Sequence, residues 1–215
     1  MVCNRDTERC PYIADPANHY SKDPINECCL ANLKEMLRDL AEIFNQANLH
    51  YWLDYGSLLG LVRSGDLIPW DKDIDWGLLN KDLKKICDLA PKIESMGYQF
   101  VYPLTEYSLH PRIHFSKTNH LHSDIYLWDT TPDGEHYHMV GHPSSHGSPV
   151  RTPDLPDYFH MCPKDFYDTL SSIRAIKIPN HVEDYLRLRY GKEWRIPDPD
   201  FYIKWPGGIG IPENL

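Results

Sequence analysis

The chain has 215 residues, 41% hydrophobic and 12% aromatic, which is enough for one sizeable core and too few for two. A formal charge of -9 excludes a surface built to hold a nucleic-acid backbone, because such a surface needs basic clusters to replace phosphate counterions. No apolar run approaches the roughly 18 residues that span a bilayer, and the polar stretch 1–20 does not resemble a leader, so the chain as given is expected to be soluble.

In chain order, 1–27 is rich in Pro, Asp, Asn and Tyr without apolar periodicity, and reads as irregular structure that needs a staple. Cys3, Cys10, Cys28 and Cys29 are placed to supply one. Leu33, Leu37, Leu40, Phe44 and Ala47 recur three or four apart, which predicts an amphipathic helix over 30–47. A short strand follows over 51–53. Gly56-Ser57 reads as a tight turn, with Ser57 placed to cap a helical turn over 58–62. A strand is predicted over 73–79, and helical spacing over 83–96 is interrupted by Pro91. Aromatic and β-branched content predicts strands over 98–102, 112–117 and 122–128. The Pro, Gly, Ser and His residues of 129–157 read as a long loop of the lid or binding kind. A strand over 173–178 and a helix over 182–190 precede a Pro/Gly/Trp tail.

Within 69–77, Asp71, Asp73 and Asp75 recur at a period of two, which puts them on one face of an extended strand. Three adjacent like charges are costly, and a hard divalent cation held by carboxylate oxygens is the natural compensation, magnesium first and manganese second. An isolated Asp-x-Asp is more often a solvated acidic turn, so context has to decide. Gly56 and Ser57 offer a side-chain-free backbone and a hydroxyl to a phosphate. Asp124, in the apolar strand 122–128, is placed to complete a two-metal clamp, against the plain alternative of a lone Asp ending a strand.

The run 51–63 (Tyr-Trp-Leu-Asp-Tyr-Gly-Ser-Leu-Leu-Gly-Leu-Val-Arg), continuing through 65–75, resembles the core of the LicD family. That family includes bacterial phosphocholine transferases and animal proteins of the fukutin type. The likeness extends to Asp124-Ile125-Tyr126 and to 185–191, and Lys72 is a mild departure from the pattern. It implies an α/β (α+β) fold, a nucleotidyltransferase-like mixed sheet flanked by helices. It also implies transfer of a phosphorylated small alcohol, of the ribitol phosphate or phosphocholine type, from a CDP-linked donor to a hydroxyl of a glycan or glycoprotein. On that reading the catalytic domain is 30–215, and the setting is the Golgi lumen.

For the four clustered cysteines, a tetrahedral structural zinc and two disulfides are equally open from spacing, although the adjacent Cys28 and Cys29 are poor partners for each other. The resemblance favours zinc, because the fukutin-related branch carries a four-cysteine zinc loop with a doubled cysteine at the start of a helix. The zinc loop is then 1–29. Cys87 and Cys162 read as buried free thiols.

For a donor diphosphate, Arg63 is the best-placed cation in sequence, with Lys192 and Arg195 behind it. Nine of the twelve histidines lie between His110 and His160, but Gly141, Pro143 and Gly147 argue against a helix that would align His138, His142 and His146 as ligands. The implied reaction is in-line attack by a glycan hydroxyl with CMP leaving, Asp73 and Asp75 holding the metals with Asp71 or Asp124, and Asp71 or Asp124 serving as base if free of metal. Transfer of a nucleotide and a catalytically silent glycan-binding or scaffold role are the alternatives.

Overall fold

A computed structural model describes residues 3–8, 24–103, 110–130, 136–140, 150–151, 159–160, 176–179 and 181–198. Helix α1, Glu27–Gln46, turns Leu33, Met36, Leu37, Leu40 and Phe44 inward, all of them buried, as the three-and-four spacing predicts. It begins earlier than the predicted 30, so that Cys28 and Cys29 sit on its first turn.

The sheet that α1 covers is mixed. Strand β1, Tyr51–Leu53, runs antiparallel to β2, Asp73–Leu79. Strand β2 is parallel to β5, His122–Thr130, which is flanked in turn by antiparallel β4, Arg112–His114, and β3, Gln99–Val101. The order is therefore β1-β2-β5-β4-β3. Between β1 and β2 lies α2, Tyr55–Ser64, and between β2 and β3 lie the short helices α3, Leu83–Asp88, and α4, Ala90–Ser95. Pro91 falls in the first turn of α4, where its missing N–H costs nothing, so the predicted interruption is a break between two helices.

The far end of β5 corrects the long-loop expectation. Strand β5 continues to Thr130 and pairs with β6, His136–Met139, which pairs with β7, Val150–Arg151. Tyr137 and Met139 are buried, a period-two pattern that the surrounding His, Gly and Pro obscure in the sequence. A second small sheet joins β8, Phe159–His160, to β9, Lys177–Ile178, and α5, Val182–Tyr190, has the predicted bounds. Of the strand predicted over 173–178, 173–175 lies outside the described residues.

The core is aromatic. Trp76 and Tyr51 meet Phe44 edge-on, with centroids 5.3 and 5.2 Å away. Gly77 lies opposite Trp52 in the β1–β2 register, and a Cβ there would stand 2.0 Å from the indole ring. Gly77→Ala is therefore expected to cost about 1–3 kcal/mol through forced displacement of a fully buried ring, read as a lower denaturant midpoint.

Candidate metal and phosphate site

The parallel pairing of β2 with β5 brings together carboxylates far apart in sequence. Asp75 is the register partner of Asp124, and Asp73 of His122, so these side chains share one face. The intervening residues point the other way: Ile74, Trp76 and Ile125 are buried, and the Trp76 indole donates to Ser123 Oγ at 2.7 Å. One face of the parallel pair thus makes core, and the other presents acid.

Asp71 joins from the turn before β2. Its amide donates to the Ile68 carbonyl, and its carboxylate lies against Gly56, where a Cβ would come 2.4 Å from Oδ2. Gly56→Ala is expected to swing the Asp71 carboxylate aside, a movement cheap for the end of a side chain. Activity should fall with the unfolding midpoint nearly unchanged, which parallel rate and melting measurements would show.

Burial raises the pKa of Asp75 well above the carboxylate range, with Asp73, Asp71 and Asp124 adding repulsion. Asp71 is likewise raised well above that range, by burial and then by Asp73. Asp73 is raised by burial and Asp124, against the pull of His122 and Arg112. An oxygen-rich set held against its own repulsion suits a hard divalent cation. The nearest ligand atoms of Asp73, His122 and Asp124 all lie within 4.8 Å of one another.

The sequence placed Gly56-Ser57 on a tight turn with Ser57 as cap, and the structure corrects both. Asp54 caps α2, its Oδ1 accepting from the Tyr55 amide at 2.8 Å, and Gly56 and Ser57 form the first helical turn. Ser57 is fully buried, and its Oγ accepts from the Asp75 amide at 3.1 Å. A tertiary bond to β2 thus uses the hydroxyl that local pattern assigns to capping. The outcome still puts a helix N-terminus, with its backbone N–H groups and dipole, beside the acidic face.

At the strand-to-helix junction Tyr55 has φ +45°, an unfavourable value for an aromatic residue. It is held there by a buried clamp. Asp54 accepts from Tyr185 Oη at 2.6 Å and from the Trp52 indole at 3.2 Å, while Arg189 Nη2 bonds Tyr185 Oη at 2.7 Å and reaches Asp54 at 3.5 Å. The Arg189 guanidinium also lies 4.4 Å from the Tyr55 ring centroid. Burial works against the charge on Arg189, but Tyr185, Asp54 and Tyr55 outweigh it and raise its pKa.

The structure does not bring Arg63 to the carboxylates. It occupies the last turn of α2, its Nε has no hydrogen-bond partner among the described residues, and burial lowers its pKa against the influence of Tyr190. Lys192 is exposed, and Arg195 pairs with Glu183. The guanidinium at the acidic face is Arg112, forked onto Asp124 at 2.5 and 2.7 Å. Pairing the predicted strands 112–117 and 122–128 as a hairpin about 118 places Arg112 opposite Asp124, a signal present in the sequence and unused. Lys72 stands between Asp71 and Asp73 in sequence; its Nζ is buried and has no hydrogen-bond partner among the described residues.

Beside the first turn of α1, the Sγ atoms of Cys3, Cys28 and Cys29 lie within 4.8 Å of one another. Cys10 and Cys162 lie outside the described residues. Asn119 Nδ2 donates to Cys3 Sγ at 3.4 Å, and Arg5 lies 4.3 Å from the ring centroids of both Tyr98 and Phe115, which docks the N-terminal segment on the sheet.

A family profile described as LicD/FKTN/FKRP, nucleotidyltransferase domain, matches residues 48–166. Human ribitol 5-phosphate transferase FKRP is 35% identical over 138 residues, 60% of this chain and 27% of that protein. Mouse ribitol-5-phosphate transferase FKTN is 27% identical over 168 residues, 76% of this chain and 33% of that protein. The matches thus span about a quarter to a third of the length of these relatives. Among solved structures, the lincosamide antibiotic adenylyltransferase LnuA aligns with a TM-score of 0.45 at 17% identity, covering 76% of this chain and 86% of that one. None of the helices among the described residues is long and apolar enough to cross a membrane.

Proposed function

Because this chain belongs to the LicD family, we propose that it transfers a phosphorylated small alcohol, of the ribitol phosphate or phosphocholine type, from a CDP-linked donor to a glycan hydroxyl, releasing CMP. The observation that carries the reading is the shared acidic face: Asp73, Asp75 and Asp124 on a parallel strand pair, with Asp71 lying on Gly56 at the head of a helix. Magnesium or manganese held by Asp73, Asp75 and Asp124 would neutralise donor phosphate oxygens and act as a Lewis acid.

The chain's own groups account for the rest. The first turn of α2, at Gly56 and Ser57, receives a phosphate through backbone N–H groups and the helix dipole. Arg112 limits the charge that Asp124 adds to the face. Arg63 serves the donor only at the far end of α2, two turns from Gly56. Asp71, whose partly buried carboxyl has a pKa raised by desolvation and then by Asp73, takes the proton of the acceptor hydroxyl. The oxygen–phosphorus bond to the glycan forms as the bond to CMP breaks, and the proton rests on Asp71.

In the same proposal Cys3, Cys28 and Cys29, with Cys10, would hold a structural zinc in the segment 1–29 ahead of the catalytic domain 30–215, and the described part of that segment meets the sheet through Arg5 and through Cys3 at Asn119. A Golgi-lumen setting goes with the same reading. Product analysis tests the whole: incubation with magnesium, a glycan acceptor and CDP-ribitol, CDP-choline or CDP-glycerol is expected to yield free CMP with one donor. The nucleotidyltransferase designation of the family domain supports a second reading, for which the nucleotide would appear on the acceptor.

A further inference from the structure

The proposed cation site contains a group that an all-oxygen magnesium site does not need. His122, the register partner of Asp73, directs Nε2 between two carboxylates, 3.8 Å from Asp73 Oδ2 and 3.8 Å from Asp124 Oδ2. Its other ring nitrogen, Nδ1, is 3.1 Å from the His120 carbonyl oxygen. A carbonyl only accepts, so Nδ1 carries a ring hydrogen, which leaves Nε2 as the ring nitrogen that can take a cation. Nε2 and the two carboxylates converge closely enough to act as three ligands of one cation. A backbone carbonyl fixing the distal N–H is also the usual support of a metal-ligating histidine. The His114 ring, 6.3 Å away and edge-on, further limits rotation of the imidazole.

We propose that His122 is a nitrogen ligand of the cation site, bound through Nε2 beside Asp73 and Asp124, and that it biases the site toward manganese over magnesium. Magnesium takes oxygen ligands and keeps several waters. A mixed nitrogen–oxygen set raises affinity for first-row transition cations, and among these manganese is the one that also suits carboxylate and water. Arg112 contributes by leaving the site less negative than its carboxylate count suggests, which reduces the purely electrostatic attraction that magnesium relies on. The inference rests on the cation site of the proposed function, and it adds the identity of the ion and of a ligand.

The test is electron spin-echo spectroscopy of manganese bound to the full chain, with natural-abundance and ¹⁵N-histidine protein. Manganese disfavours thiolates, so the cysteine cluster does not compete. The expected result is a ¹⁴N modulation that changes with the label and is lost in His122→Gln. In parallel, magnesium competition should show a manganese preference that falls by about tenfold or more in the variant, since outer-shell partners alone are worth about 10–100-fold. Bound manganese without nitrogen coupling in the wild-type protein, or coupling and preference unchanged in His122→Gln, would overturn the ligand assignment and leave the carboxylate site standing. No bound manganese or magnesium at all would overturn the cation site itself. The wild-type spectrum decides the ligation even if the variant folds poorly.

Discussion

Asp75→Asn is expected to abolish transfer, to below about 1% of wild-type turnover, and at the same time to raise the melting temperature of the metal-free protein. The two effects have one cause. Asp75 is nearly fully buried beside Asp71, Asp73 and Asp124, and burial followed by repulsion from Asp73 raises its pKa well above the carboxylate range. Asparagine keeps the shape and removes the charge, and relief of a poorly compensated buried charge is worth on the order of 1–4 kcal/mol. The backbone bonds of residue 75 to Ser57 and Asp54 are untouched by the change. Because the folded pKa is raised, the native state holds protons that the unfolded chain has released above about pH 4. Stability is therefore full below that pH and declines as pH rises through the raised values. Asp75→Asn should flatten the decline. Added magnesium or manganese should restore stability to the wild-type chain at neutral pH, by about 2.7 kcal/mol at a hundredfold excess over the dissociation constant, and should do little for the variant. Melting curves against pH, with and without the ion, check all of these effects.

Arg189→Met should unfold the protein more readily than any surface change, by about 3–5 kcal/mol, because it strands Asp54 in the interior with no cation. Asp54 is fully buried and Arg189 nearly so. At this chain length that cost corresponds to a melting temperature lower by roughly 6–20 °C. The same substitution releases the clamp that holds Tyr55 at positive φ and seats the start of α2 against the acidic face, so residual activity should fall beyond what the unfolded fraction explains. Combining it with Asp54→Asn should cost less than the sum of the two changes, and a double-mutant cycle by denaturant titration measures the coupling.

The parts of the fold legible in the sequence are those fixed by local pattern. Helix α5 over Val182–Tyr190 has the predicted bounds because Val182, Tyr185, Leu186 and Arg189 bury one face at three-four spacing, and β1 over Tyr51–Leu53 and β2 over Asp73–Leu79 have theirs as short runs buried on both faces. What failed depended on partners distant in sequence. Asp54 and Ser57 are both good caps by residue type, and the choice between them is made by the Asp75 amide, which takes the serine hydroxyl, and by Tyr185 and Arg189, which support the aspartate. No local pattern carries that information. Likewise Arg63, close to the turn in sequence, lies at the far end of α2, while Arg112 reaches Asp124 only through the β4–β5 register. The common face of Asp71, Asp73 and Asp75 follows from strand period alone, whereas their approach to Asp124 comes from the parallel β2–β5 register, which no local pattern carries.

On the proposed function, this acidic face is a metal-dependent site for a CDP-linked donor. Calorimetric titration of the full chain with CDP-ribitol, CDP-choline and CDP-glycerol, with and without magnesium or manganese, tests it most directly. The expected result is saturable binding of one donor that requires the ion and is lost in both Asp73→Asn and Asp75→Asn. Donor binding indifferent to the ion and to both substitutions, or no donor binding by a folded chain with the ion present, would contradict it.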